Sequence, residues 1–95
     1  DGFEAEFKMN GKDASANYDK LGHKLATEIE ITETEMPAKA LTYFSTTYPN
    51  KKIKETAKIT DNKNVVTYEA EVKIDGKICD LIFDASGKFL KLNKD

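Results

Sequence analysis

The sequence predicts an α+β fold of two layers, one helix packed on a twisted antiparallel sheet. Three observations carry that reading: paired-strand segments closed by two-residue turns, a single stretch of helical periodicity, and an internal repeat. Glu4-Ala5-Glu6-Phe7-Lys8-Met9-Asn10-Gly11-Lys12 returns 65 residues later as Glu69-Ala70-Glu71-Val72-Lys73-Ile74-Asp75-Gly76-Lys77, and the register then runs without a gap to Leu25 against Leu90.

The first hairpin follows from its turn. Asn10-Gly11 and Asp75-Gly76 tolerate the positive φ of a type I′ turn, whose twist matches the flanking strands. Phe3, Ala5, Phe7 and Met9 then face Tyr18, Ala16, Ala14 and Lys12 on one side, and Glu4, Glu6 and Lys8 face Asn17, Ser15 and Asp13 on the other. The second copy repeats this with Tyr68/Phe83, Ala70/Leu81, Val72/Cys79 and Ile74/Lys77 as its apolar side. Each copy turns again through Asp-x-x-Gly, at Asp19–Gly22 and Asp84–Gly87, where Asp suits the first position of a type I turn and Gly the left-handed fourth. A third strand follows each time. The first runs from His23 to about Thr32, with Leu25, Thr27, Ile29 and Ile31 on one side. The second runs from Lys88 to about Asn93, with Leu90 and Leu92 continuing the apolar face.

Between the copies, Met36, Ala40, Leu41, Phe44 and Tyr48 recur at helical spacing, Pro37 suits the first turn and Pro49-Asn50 ends the helix. Lys52–Thr60 reads as a strand with Ile53, Ala57 and Ile59 inward, and 61–64 as a loop. The order is β-β-β-α-β-β-β-β. It forms one domain over residues 1–95, in which 1–33 are the C-terminal part of a first repeat (three strands) and 34–95 a complete second repeat (a helix and four strands). Leu41, Phe44, Val72, Leu81 and Phe83 are the expected core.

Composition narrows the function classes. A chain of 95 residues is one small domain, burying roughly 60–65% of the surface its unfolded form exposes. A net charge of −2 with interspersed signs offers no basic stripe for nucleic acid and no polybasic segment for a membrane, and no apolar run reaches transmembrane length. The one cysteine, Cys79, reads as a buried packing residue. His23 has no second histidine or cysteine to complete a triad or zinc site, and the serines lack a nucleophile elbow. The chain is therefore not read as an enzyme, and no cofactor or metal is expected.

Two features of the uncovered side are candidate binding elements. Glu71 stands opposite Asp80, with Glu69 diagonal and Lys91 expected beside Asp80; this is read as a solvated carboxylate pair neutralised by lysine, since a calcium site needs six or more oxygens. If Phe83 faces Lys88, then Ile82 faces Phe89, and Ile78, Ile82 and Phe89 form an apolar cluster where the first copy has Asp13, Asn17 and Lys24. Such a cluster marks contact with another domain, subunit or partner, unless the chain itself covers it.

The residues Tyr48-Pro49, Lys52-Ile53-Lys54, Tyr68–Lys77 and Ile82–Lys88 resemble the β-lactamase-inhibitor-like, PepSY-like proteins secreted to the periplasm of Gram-negative bacteria. That resemblance implies tandem repeats of a helix on an antiparallel sheet, export from the cytoplasm and no catalysis. The expected function is a non-catalytic periplasmic or cell-surface protein-binding module that uses its uncovered sheet face and hairpin loops, with enzyme or peptidase inhibition suggested by the family analogy. The alternatives are a structural or assembly subunit of an envelope complex, and a calcium-responsive binding protein. The repeat also predicts a helix and a strand ahead of the first copy. Their place is upstream of Asp1, so the native polypeptide is expected to extend by such a pair, or Phe3–Met9 to be completed by strand addition from another chain.

Overall fold

In a computed structural model, which describes residues 2–94, every strand lies beside its neighbour in sequence. The elements are β1 (Gly2–Met9), β2 (Lys12–Asp19), β3 (Lys24–Ile31), a single 3-10 turn (Glu33–Glu35), α1 (Ala38–Thr47), β4 (Ile53–Asp61), β5 (Val66–Ile74), β6 (Lys77–Asp84) and β7 (Phe89–Lys94). They form one antiparallel seven-stranded sheet in the order β1-β2-β3-β4-β5-β6-β7. α1 lies against one face of that sheet, so the fold is α+β.

The turns are built as their residues require. Asn10 and Gly11 have φ of 52° and 81°, and Asp75 and Gly76 have 50° and 80°, which is the double positive φ of a type I′ hairpin. At the opposite end, Asp19 Oδ1 accepts from the amides of Leu21 and His23, and Asp84 Oδ1 from those of Ser86 and Lys88. Asp61 does the same for Lys63 and Val65, with Asn64 at φ 64° where the other two turns have glycine. These hydrogen bonds favour the ionised carboxyl, and Asp19 and Asp84 are held below the usual range by them, through His23 first for Asp19 and Ser86 first for Asp84.

The core lies between α1 and the second half of the sheet. Met36, Ala40 and Phe44 pack onto Ala70, Val72, Cys79, Leu81 and Phe83. Tyr43 stacks on Phe89 with centroids 4.6 Å apart, and both meet the edge of Phe83 at 5.8 Å. Thr32 caps the 3-10 turn that leads into the helix: its amide and hydroxyl both donate to Glu35 Oε1 at 2.9 Å. Lys12 reaches the same oxygen at 2.7 Å, tying the first hairpin to this lead-in, and these contacts, Lys12 first, pull the Glu35 carboxyl down to about 2.

Three expectations need correction, and β-bulges account for two. The Asp84 turn holds one residue more than a plain type I turn, because Gly87 takes a left-handed conformation, and it closes on an Asp84 to Lys88 backbone bond of 2.8 Å. Phe83 therefore faces Phe89 instead of Lys88. A further shift between Ile82 and Phe83 then sets Ile82 against Lys91 and Leu81 against Leu92. Phe89 is thereby moved to the helix side, Leu92 stays there, and Leu90 becomes the unpaired, exposed residue of the bulge. In β4 a shift between Ile53 and Glu55 turns the strand over. Ile53 packs on the core, but Ala57 and Ile59 face away from the helix, and buried Thr56 takes the inward place, donating to the carbonyl of Ile31 at 2.7 Å. The third correction is Leu41, which is only partly buried; its place in the core is taken by Met36, Ala40 and Cys79.

The strand triplets β1–β2–β3 and β5–β6–β7 agree at an offset of 65 in pairing, turns and bulge. The irregularity at Asn17/Tyr18 matches that at Ile82/Phe83, and Tyr18 faces Lys24 as Phe83 faces Phe89.

Candidate functional site: the open face of the sheet

The side of the sheet away from α1 is polar because each strand alternates. Glu4 and Glu6 of β1, Glu28 and Glu30 of β3, Glu69 and Glu71 of β5 stand two residues apart, so each pair projects from the same face. Register then brings the pairs together. Glu6, Ser15 and Glu28 lie in one row; Glu30, Ala57, Glu69 and Ile82 in the next; Glu55, Glu71, Asp80 and Asn93 in a third. Glu4, Glu6, Glu28, Glu30, Glu55 and Glu69 line a shallow depression of about 250 Å³.

Lysines balance part of this charge. Lys8 pairs with Asp13, and Lys73 and Lys91 stand on the same face opposite Ile78 and Ile82. The interior of the depression stays acidic. Burial, with Glu4 and Glu55 nearby, pushes the Glu28 carboxyl above its ordinary range. Chemically, this surface can hold cationic side chains by charge and the carboxylates' acceptor oxygens. Among the described residues no group of three or more His, Cys, Asp or Glu is placed to hold a metal ion, and no helix is long and apolar enough to cross a membrane.

The residues singled out from the sequence divide between the two faces. Glu71 and Asp80 face one another as expected, and one Asp80 carboxylate oxygen is shut off from solvent. Lys91 is diagonal to Asp80, whose direct partner on β7 is Asn93. Ile78 is half-buried on the open face, and Ile82 beside it is only 7% exposed, standing between Glu69 and Lys91. Phe89 belongs to the other face. The expected exposed apolar cluster of Ile78, Ile82 and Phe89 therefore does not form; the bulge splits it, and what the open face displays is carboxylate. Sequence reasoning missed Glu4, Glu6, Glu28, Glu30 and Glu55 as one surface, although their two-residue alternation was a visible signal. His23 is exposed, its Nδ1 3.1 Å from Asp19 Oδ2, and Cys79 is a buried free thiol.

No family model matches the chain, and no curated protein does. Solved structures do. A DUF2874 family protein from Bacteroides uniformis aligns with a TM-score of 0.83 at 18% identity, over 98% of this chain and 70% of that one. A protein from Bacteroides eggerthii, provisionally described as periplasmic, gives 0.83 at 15% over the same shares. A BLIP-like protein from Bacteroides fragilis gives 0.78 at 23%, over 98% of this chain and 67% of its own. At these identities the likeness speaks for the fold, and the chain has the β-lactamase-inhibitor-like (BLIP-like) fold.

Proposed function

We propose that this protein is a non-catalytic, periplasmic protein-binding module whose open sheet face receives a cationic surface of a partner protein. The observation that carries the reading is the acidic depression lined by Glu4, Glu28, Glu30 and Glu55 on a sheet face that no helix covers. Like charges set opposite one another destabilise a sheet, and a cationic partner would relieve the repulsion. Glu71 and Asp80 extend the same surface, and Ile78 adds apolar contact at its side. The BLIP-like and periplasmic-type neighbours support a binding role in that compartment, and none of their names assigns catalysis. Inhibition of an enzyme is the sharpest form of this reading. The matching of β1–β3 with β5–β7 in register, turns and bulge supports a tandem repeat as the origin of the fold.

The test is capture from native envelope extract by the wild-type protein and by a variant carrying Glu4→Gln, Glu28→Gln, Glu30→Gln and Glu55→Gln. The reading expects a stoichiometric partner that the variant loses and that raised salt releases from the wild type. A partner retained equally by both proteins would place the binding surface elsewhere.

A further inference from the structure

The two hairpin tips share a backbone and differ in one side chain. Asn10-Gly11 and Asp75-Gly76 hold the same left-handed pair, with φ of 52° and 81° against 50° and 80°, but the first carries an amide and the second a carboxyl group. Asn10 and Gly11 are both exposed, and a Cβ built on Gly11 would have nothing within 4 Å. Each of the other asparagines is followed by a bulkier residue: Tyr18, Lys51, Lys63, Val65 or Lys94. Asn64 is the nearest comparison, because it too is exposed and left-handed, at φ 64°, yet it precedes β-branched Val65.

These features bear on one reaction of asparagine, attack of the next residue's backbone nitrogen on the side-chain carbon. A side chain on that next residue crowds the attack, and glycine has none. We propose that Asn10 is a self-modification site, at which the first hairpin tip deamidates with age and passes in part to isoaspartate. The Gly11 nitrogen, its proton lost to solvent base, bonds to Asn10 Cγ and closes a five-membered succinimide. The Cγ–Nδ2 bond breaks, and that nitrogen takes a proton from water and leaves as ammonia. Water then adds to one of the two imide carbonyls and breaks its bond to the Gly11 nitrogen. Water is the only co-reactant, and nothing is oxidised or reduced.

The two products have different structural consequences. Opening at Cγ leaves aspartate, and Asp75 shows that aspartate fits this turn at the same φ. Opening at the main-chain carbonyl leaves isoaspartate, in which the chain runs through the side-chain methylene and gains one backbone atom. A two-residue turn sets the register of its hairpin, so the added atom falls hardest on the nearest pairs, Met9 with Lys12 and Lys8 with Asp13. Lys12 also donates to Glu35 at 2.7 Å ahead of α1, so a change at the tip reaches the lead-in to the helix. The second tip, with Asp75 in place of asparagine, has no ammonia to lose.

The experiment keeps the protein in mildly alkaline buffer at body temperature for weeks, folded and in urea. Samples are followed by peptide mapping with mass spectrometry and by enzymatic methylation of isoaspartyl groups. In the folded protein the peptide containing Asn10 should gain about 1 Da, at least about 10-fold faster than the peptide containing Asn64, and isoaspartate should be among its products. The Asn10→Asp variant should melt within about 1 °C of wild type. The isolated isoaspartate form should melt several degrees lower, with the Glu35 carboxyl shifted upward in an NMR titration as Lys12 withdraws. Folded Asn10 that stays intact while the urea sample converts would overturn the proposal, since the closed turn would then keep the Gly11 nitrogen from Cγ. Conversion no faster at Asn10 than at Asn64 would overturn it as well. An isoaspartate form that melts with wild type, or an Asn10→Asp variant that melts as low as the isoaspartate form, would overturn the assigned effect of the added backbone atom.

Discussion

The strands β1–β3 and β5–β7 share a backbone plan and differ in what covers them. Their hairpins have the same φ values, their aspartate turns the same hydrogen bonds, and their bulges fall at matching residues. Yet Val72, Leu81 and Phe83 are sealed from solvent, and β1 is exposed along its whole length. Local backbone architecture is therefore written in turn chemistry and alternation, and burial is conferred by the helix. The two halves should respond differently to the same substitution.

The largest contrast is expected from aromatic truncation. Phe44→Ala removes a buried ring from the interface of α1 with β5 and β6, and should cost about 3–5 kcal/mol. Phe7→Ala, on the partly exposed strand, should cost about 1 kcal/mol or less. Urea unfolding of the two variants checks this, and equal losses would show that the bare half carries a core of its own.

Next come the paired glycines. Gly87→Asn keeps a residue type that accepts positive φ and places its side chain against Pro37, Lys39 and Ala40, so it should lower stability by about 2–3 kcal/mol. Gly22→Asn in the 95-residue chain should stay within about 0.5 kcal/mol of wild type. Thermal melts of the pair measure the weight of the helix on one turn, with the other as control.

The acid response sharpens the comparison from the electrostatic side. Glu35, Asp19 and Asp84 have carboxyls lowered in the folded protein, so their stabilising contribution is present above the ordinary carboxylate range and is lost as pH falls, for Glu35 between about 4.5 and about 2. Replacing Lys12 by Met removes the main cause and should raise the Glu35 pKa, read by NMR titration. Glu28 has the opposite sign. Its carboxyl is raised by burial and by Glu4 and Glu55, so its charged form weakens the fold at neutral pH and protonation relieves this as pH falls. Glu28→Gln should then stabilise by a few tenths of a kcal/mol at pH 7. That gain should disappear in acid, where wild type carries a neutral carboxyl too.

Much of the molecule was legible in the sequence because its signals are local. Asn10-Gly11 and Asp75-Gly76 dictated hairpin registers that the structure reproduces residue for residue, and Phe44, Val72, Leu81 and Phe83 were expected in the core and lie there. The bulges were not legible. Leu90 and Lys54 differ in no way that marks them as the extra residue of a strand, and each slip sends everything after it to the other face. The slip at Lys54 put Ala57 on the unexpected side, and the extra residue that Gly87 gives the Asp84 turn did the same for Phe89. The acidic surface was half legible: each Glu-x-Glu pair was plain, but its size depends on β3 lying beside β4, a pairing set by the path of the helix and not by any turn.

A sheet in which every strand touches only its neighbours in sequence also has a mechanical character. Contacts close over short stretches of chain, a low-contact-order arrangement that favours rapid assembly for a β-rich domain, with pairing able to spread hairpin by hairpin. The same connectivity governs how it comes apart. Tension applied at the outer strands would peel β1 or β7 away one hydrogen bond after another instead of shearing a whole ladder at once. Peeling from the β1 side meets no helix until it reaches the strands packed beneath α1. Under load the domain should therefore yield in two stages, a soft one through the first three strands and a stiff one through the rest.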